Sequence, residues 1–310
     1  MDDLAFVFAS GSGQIGNQSR HLLRSIRRHH GEAPVYVYVP TEELDDMEAA
    51  VREELAADAT ILEGSIPIPE YPISTKIAAL EAAEPVADAE YLLMLDTDVL
   101  VLDEIEVHRR EDADLYLKPV DVGNQFWGRE RSHDRWRDLY ERYDLRFPDR
   151  RVDSTFDGRG MLPYWNAGFV LTRVDGFGSE WLDVTEALHG EIPYDRHADQ
   201  VALGLLSERY ATATVDNRYN YPIHLRLRCP PDVRVLHYHN APNLVKVSDP
   251  DIREQIRAVG LSDAIDLPAG ERVRLLADGV QSYVRRRTLP IDETHALERA
   301  YLKARSLVST

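Results

Sequence analysis

Apolar residues come in short, dense runs separated by amphipathic stretches. Leu4 to Ala9 (LAFVFA) is the first run, ending in a Gly/Ser loop from Ser10 to Gly16. Beyond it, Leu22, Leu23 and Ile26 share one helical face, opposite Arg24, Arg27 and Arg28, which is the period of an amphipathic helix. Val35 to Val39 (VYVYV), stopped by Pro40, predicts a second buried strand. A helix is expected from Thr41 to about Ala57, a strand over Ala59 to Glu63 and a helix over Ser74 to Ala83. Tyr91 to Leu95 predicts a fourth strand, the most apolar in the chain. Strands and helices alternating at this spacing predict an α/β fold with a mostly parallel central sheet flanked by helices.

After about Asp112 the pattern loosens. Residues 121–163 are polar and rich in arginine and aromatics, with one helix expected near 132–143. Strand character returns over Phe169 to Thr172 and Val233 to Tyr238, helices are expected over 179–189 and 198–209, and the tail from about 250 is helical. The expected organisation is one domain over 1–248, with halves of about 1–103 and 104–248, and a C-terminal helical extension over 249–310. A loop segment as long as 121–163 is more often functional than idle.

Composition narrows the setting. The 310 residues carry 54 Asp+Glu against 36 Lys+Arg, a formal net charge of −18. Such a chain repels a phosphate backbone, so nucleic acid is not an expected partner. Only Lys76, Lys118, Lys246 and Lys303 are lysines, and an acidic, lysine-poor surface suits a halophilic host. The single cysteine, Cys229, excludes an internal disulfide framework and a cysteine-based zinc site. No apolar stretch approaches the ~20 residues that cross a bilayer, and Met1-Asp2-Asp3 lacks the basic start of a signal peptide. A soluble, cytoplasmic protein is expected.

The sharpest chemical feature is Leu95-Asp96-Thr97-Asp98, where the most apolar strand ends. Two carboxylates leaving a buried strand at its carboxyl end face a crevice. Their charge calls for a cation, and a hard divalent ion, Mn2+ or Mg2+, takes oxygen ligands that it commonly shares with a phosphate. A carboxylate pair capping the next turn is the plainer alternative. Further on, Val235, His237 and His239 alternate along a strand, so both imidazoles would share one face if the strand is regular. Either can complete the ion's shell, or serve as a core histidine bonded to a carbonyl.

The segment Tyr91 to Leu102 resembles the DxD motif of GT-A-fold glycosyltransferases. Trp165-Asn166-Ala167-Gly168-Phe169-Val170-Leu171 resembles the Asn-Ala-Gly strand of glycosyltransferase family 8 and glycogenin-like enzymes. His197-Ala198-Asp199-Gln200 resembles their Asp-Gln motif, Leu236-His237-Tyr238-His239 their metal-binding histidine strand, and Ser74-Thr75-Lys76-Ile77-Ala78 the helix entry before the DxD strand. The order of these segments, over roughly residues 5 to 245, carries the resemblance. It implies a Rossmann-like GT-A fold and a metal-dependent transfer, with retention, from a nucleoside diphosphate sugar, a UDP-sugar first among them. The acceptor would be a glycan, lipid-linked or protein.

The resemblance also implies roles. Asp96, Asp98, His237 and His239 would hold the metal. Ala9, Ser10, Gly11, Lys76, Asp96, Thr97, Asp98 and Gly168 would bind the donor nucleotide, and Asp199, Gln200 and Asn166 would orient the sugar for catalysis. Asn240-Ala241-Pro242-Asn243 departs from the family's Gly and Lys-Pro-Trp, which leaves Lys246 as a substitute diphosphate contact.

Other readings compete. Gly11-Ser12-Gly13-Gln14-Ile15-Gly16 is a literal G-x-G-x-x-G between a strand and a helix, the local context of an NAD(P)-binding oxidoreductase. A Rossmann oxidoreductase leaves Asp96, Asp98 and His237 unexplained. A haloacid dehalogenase-type phosphatase would use Asp96 and Asp98 as nucleophile and acid, but no downstream acidic pair accompanies them. A non-catalytic relative would bind a nucleotide sugar without turnover. Arg285-Arg286-Arg287 with Arg299, Lys303 and Arg305 forms a basic run that suits an anionic membrane surface, or simply a solvated face.

Overall fold

The computed structural model describes residues 3–107 and 112–288. In chain order the elements are β1 (Leu4–Ala9), α1 (Gly13–His29), β2 (Val35–Pro40), α2 (Ala49–Asp58), β3 (Thr60–Gly64), α3 (Thr75–Ala83), β4 (Tyr91–Leu95) and β5 (Val99–Val101). There follow β6 (Leu115–Pro119), α4 (His133–Arg142), β7 (Val152–Asp153), β8 (Gly160–Met161), β9 (Trp165–Thr172), α5 (Phe177–Leu188) and α6 (Ala198–Leu206). The chain continues through β10 (Thr212–Thr214), β11 (Tyr221–Pro222), β12 (Val235–His237), α7 (Pro250–Ala258), α8 (Ser262–Ile265) and α9 (Ala269–Thr288).

Seven strands form the central sheet in the order β10-β6-β9-β4-β1-β2-β3. All neighbouring pairs are parallel except β4–β9 and β6–β9. Alternate residues of each strand feed opposite cores, because successive side chains leave a strand on opposite faces. Phe6, Phe8, Leu93 and Leu95 pack with Leu22, Leu23, Ile26, Val51 and Leu55 of α1 and α2. Ala5, Val7, Leu92 and Met94 pack with Ile77, Leu80, Phe177, Trp181 and Val201 of α3, α5 and α6. A small sheet, β11-β12-β5, sits beside the main one. Its core of Leu100, Leu236 and Tyr238 is completed by Ile252, Ile256 and Val259 of α7 and its end.

The helix expected from Thr41 to about Ala57 is a short 3-10 turn over Thr41–Glu43 and a separate α2. Glu43 has left the helical register to reach back to Ser12, with Oε2 accepting from its backbone N–H at 2.7 Å. β6 lies just past Asp112, where the pattern loosens and no strand is expected, and β9 begins four residues before the expected strand. β12 ends at His237, short of the regular strand that would have aligned both histidines. Among the described residues no helix is long and apolar enough to cross a membrane. The side chains of Arg285, Arg286 and Arg287, and all of Arg299, Lys303 and Arg305, lie outside the described residues.

Candidate active site and metal centre

Backbone pairing, rather than sequence proximity, assembles the acidic and imidazole groups. β4 ends at Leu95, and Asp96 N–H makes a last bond of 3.2 Å to the Gly168 carbonyl of β9. The chain then turns into β5, which runs antiparallel to β12 with Val99 opposite His237. Asp98 thereby stands across from His237, and its carbonyl accepts from Tyr238 N–H at 3.0 Å. His237 Nε2 lies 3.0 Å from Asp98 Oδ1, and His239 Nδ1 lies 3.6 Å from Oδ2. His239 gets there through a left-handed backbone, φ 56°, which turns its ring to within 3.7 Å of the His237 ring, centroid to centroid. The ligating atoms of Asp98, His237 and His239 all lie within 4.8 Å of one another.

Burial would raise the Asp98 carboxyl, but the charge and contact of His237, and then of His239, hold it well below the usual range. Burial would lower His237, and the Asp98 carboxylate overcomes this to raise it. His239 is lowered, by burial and by His237 beside it. His237 Nε2 is buried without an aligned hydrogen bond. One carboxylate and two imidazoles make a donor set that fits a divalent metal ion. Asp96 is not in this cluster among the described residues.

Asp96 instead meets Lys76. From the first turn of α3, Lys76 Nζ stands 3.1 Å from Asp96 Oδ1 and 3.2 Å from Asp199 Oδ2. Burial would lower this ammonium, but the two carboxylates raise it above its ordinary value, so it stays charged. Asp199, 2% exposed, accepts from Tyr71 OH through Oδ1 at 2.7 Å. Its carboxylate lies in the first turn of α6 but is engaged by Lys76 and Tyr71 rather than by a cap of that helix. On β9, Asn166 Oδ1 accepts from Gly168 N–H at 2.8 Å and from Asn220 Nδ2 at 2.9 Å. The Asn166 amide nitrogen is the donor it has left to offer.

A cavity of about 570 Å3 opens at the carboxyl ends of β1 and β4. Ala9, Ser10, Lys76, Asp96, Thr97, Asp98, Asp199 and Gln200 line it, at the place where open α/β sheets bind ligands. A second cavity of about 310 Å3 is lined by Asp121, Phe126, Tyr164, Asn166, His224 and His239, among others. Arg196, His197 and Gln200 line both.

Residues 6–211 match the family model described as the Rhodobacterales glycosyltransferase domain. The chain belongs to this glycosyltransferase family. Among solved structures, the glycosyltransferase is similar to the galactosyltransferase LgtC in complex with donor and acceptor sugar analogues. The identity is 17%, over 87% of this chain and 99% of that one, with a TM-score of 0.55. A glutamine-to-glutamate active-site mutant of LgtC gives 16%, 86% and 99%, and a TM-score of 0.54. The glycosyltransferase GlyE from Streptococcus pneumoniae TIGR4 gives 17%, 86% and 63%, and 0.47. The LgtC likeness establishes the GT-A fold. No curated protein matches by sequence.

Within this glycosyltransferase the glycine-rich loop is built for packing. A Cβ on Gly16 would stand 2.5 Å from the Gly11 carbonyl oxygen, and one on Gly11 would stand 2.5 Å from Glu43 Oε2. That Glu43 oxygen accepts from Ser12 N–H and, at 2.9 Å, from Ser12 Oγ. A carboxylate therefore occupies the helix N-terminus where a dinucleotide's phosphates would sit. Lys246 is turned away from both cavities, its Nζ donating to the Ile223 and His224 carbonyls at 3.1 Å each. Tyr71, Asp121, Arg196, His197, Asn220 and His224 were not singled out from sequence. Asp121, which pairs with the fully buried Lys118, follows β6 at its carboxyl end, and locating that strand would have pointed to it.

Proposed function

We propose that this chain is a metal-dependent, retaining glycosyltransferase that moves a sugar from a nucleoside diphosphate sugar, a UDP-sugar first among them, to an acceptor hydroxyl. The acceptor is a glycan, lipid-linked or protein. The observation that carries the reading is the Asp98–His237–His239 cluster, with ligating atoms within 4.8 Å, set beside a cavity that also holds Lys76, Asp96 and Asp199. Asp98, His237 and His239 would hold Mn2+ or Mg2+, which would supply positive charge to the diphosphate leaving group.

The protein's own groups do the rest. Lys76, kept protonated by two carboxylates, offers a second positive charge to the diphosphate. Asp96 serves the ribose or the ion's outer shell, and Ala9, Ser10, Gly11 and Thr97 bound the nucleotide. Asp199 and the Asn166 amide hold the sugar hydroxyls, while Gly168 lets the ring approach the backbone. Gln200, at the junction of the cavities, stands near the anomeric carbon, where the bond to phosphate breaks and the bond to the acceptor oxygen forms. A glutamine also belongs to the active site of the similar LgtC. In this reading residues of about 1–103 bind the donor, those of about 104–248 take the acceptor, and 249–310 are an extension. The acidic, lysine-poor surface supports work in a salt-rich cytoplasm.

A thermal-shift panel in high KCl tests the reading. UDP, GDP, their sugars and NAD(P) are set against Mn2+, Mg2+ and chelator, with Asp98→Asn alongside. At about 100 times its Kd a ligand adds about 2.7 kcal/mol. One nucleoside diphosphate should stabilise only with metal, and Asp98→Asn should abolish that gain. Stabilisation by NAD(P) without metal would overturn the proposal in favour of the glycine-rich loop.

A further inference from the structure

The wall shared by the two cavities carries a cation, Arg196. Arg196 lies in the 3-10 turn Asp195–His197 just ahead of α6. Its guanidinium carbon sits 5.5 Å from the centroid of the Phe126 ring, and its Nε donates to His197 Nε2 at 3.1 Å. Arg173, Arg218 and Arg257 are each engaged by a carboxylate. Arg196 has no carboxylate partner within 4 Å among the described residues.

The platform beneath it is held in a strained backbone. Phe126 and Tyr194, both aromatic, have φ of 41° and 61°, a left-handed region that bulky residues avoid and that clusters at ligand clamps. Their rings meet edge to face at 5.1 Å, and Phe126 also touches the His197 ring at 4.6 Å. Burial lowers His197 to about 4, so its imidazole is neutral at pH 7. Also lining the second cavity, the Asp121 carboxylate is balanced by Lys118. Among the lining residues of that cavity, Arg196 is thus the permanent charge without a counter-ion.

We propose that Arg196 makes the second cavity a subsite for an acidic acceptor sugar, one that carries a carboxylate or a phosphate beside the hydroxyl to be glycosylated. The planar guanidinium matches either anion with paired N–H bonds, and its position on Phe126 pre-sets its direction. The acceptor is favoured over the donor because Phe126 lines only the second cavity, while Lys76 already serves the first. The inference rests on the glycosyltransferase reading above, in which the two sugars meet at Gln200.

A matched acceptor panel tests it. The full chain, with Mn2+ and the UDP-sugar, is offered neutral methyl glycosides, the corresponding methyl uronides, and the corresponding sugar phosphates. The quantity read is the ratio of kcat/KM, acidic over neutral, which cancels any change in donor turnover. The expected ratio is about tenfold or more, the size of a charge-assisted pair. In Arg196→Gln it should fall to about one, and Arg196→Lys should recover part of it. The uronide and phosphate arms tell which anion is read. A wild-type ratio near one, or a ratio that survives Arg196→Gln, overturns the proposal. So does a raised KM for the donor with the ratio intact, which would assign Arg196 to the donor. Metal-dependent donor hydrolysis with no use of acidic acceptors sinks this inference alone, whereas loss of both sinks the donor reading as well.

Discussion

At Gly168 an absent side chain lets Asp96 and Asn166 come close to the backbone. A Cβ there would stand 2.5 Å from Asp96 Oδ2 and 3.0 Å from Asn166 Oδ1, so Gly168→Ala must displace one of two groups that the proposed function sets against the donor. It should lower transfer by about tenfold or more while costing only about 1–3 kcal/mol of stability, read by initial rates and urea melts on the same sample. Glu84 gives a different residue-scale test. Burial lifts its carboxyl from 4.5 to about 7, and Oε1 accepts from Gly178 N–H at 2.7 Å. Because the folded value lies above the unfolded one, its contribution is full below about pH 4.5 and is lost as pH rises through 7. Glu84→Gln, which keeps the acceptor, should therefore be the more stable form at pH 8, on the order of 1 kcal/mol after solvent screening, and equal at pH 4. Equal melting curves at pH 8 would refute this. Asp98 and His237 were legible in the sequence because strand ends and alternation expose them. Tyr71 and Arg196 were not, since each matters through a partner more than 60 residues away, Asp199 and Phe126 respectively.

Elements were legible where burial is two-sided and apolar. β1, β2 and β4 emerge as runs, and α3, α5 and α6 as helical patterns, within a few residues of their observed bounds. β6 stayed hidden because its five residues, LYLKP, include a lysine and end in proline. That lysine is fully buried and paired with Asp121, and Asp121 Oδ1 also accepts from Thr155 Oγ1 at 2.5 Å. Burial pulls the Lys118 ammonium down and Asp121 only partly restores it. Removing one partner of such a pair leaves an uncompensated charge. Lys118→Met should destabilise by about 3 kcal/mol, and adding Asp121→Asn should recover part of the loss. Denaturant midpoints for the two variants decide it, and a double mutant no better than the single would argue against a coupled pair.

For the molecule as a whole, charge and topology carry the consequences. A net charge of −18 repels itself at low ionic strength, and the screening length falls from about 10 Å at 0.1 M salt to about 3 Å at 1 M. Melting temperature should climb by several degrees over that range, ~1–2 kcal/mol for a chain this long; a fall would mean that local ion pairs outweigh the net field. The end of α7 is tied in as well, with His21 and Arg24 of α1 bonded to the Val259 carbonyl at 2.8 and 3.0 Å. The strand order lay beyond the sequence, because alternating elements suggest parallel pairing and nothing local marks β9 as running the other way. That reversal has a further effect. β6 ends and β9 begins at the same rim, Pro119 opposite Trp165, so everything between them must leave from and return to the mouth of the site. The sheet can therefore stay constant while residues 120–164 are lengthened, trimmed or rewritten, and such changes would retune what enters the second cavity without moving a strand that holds the first.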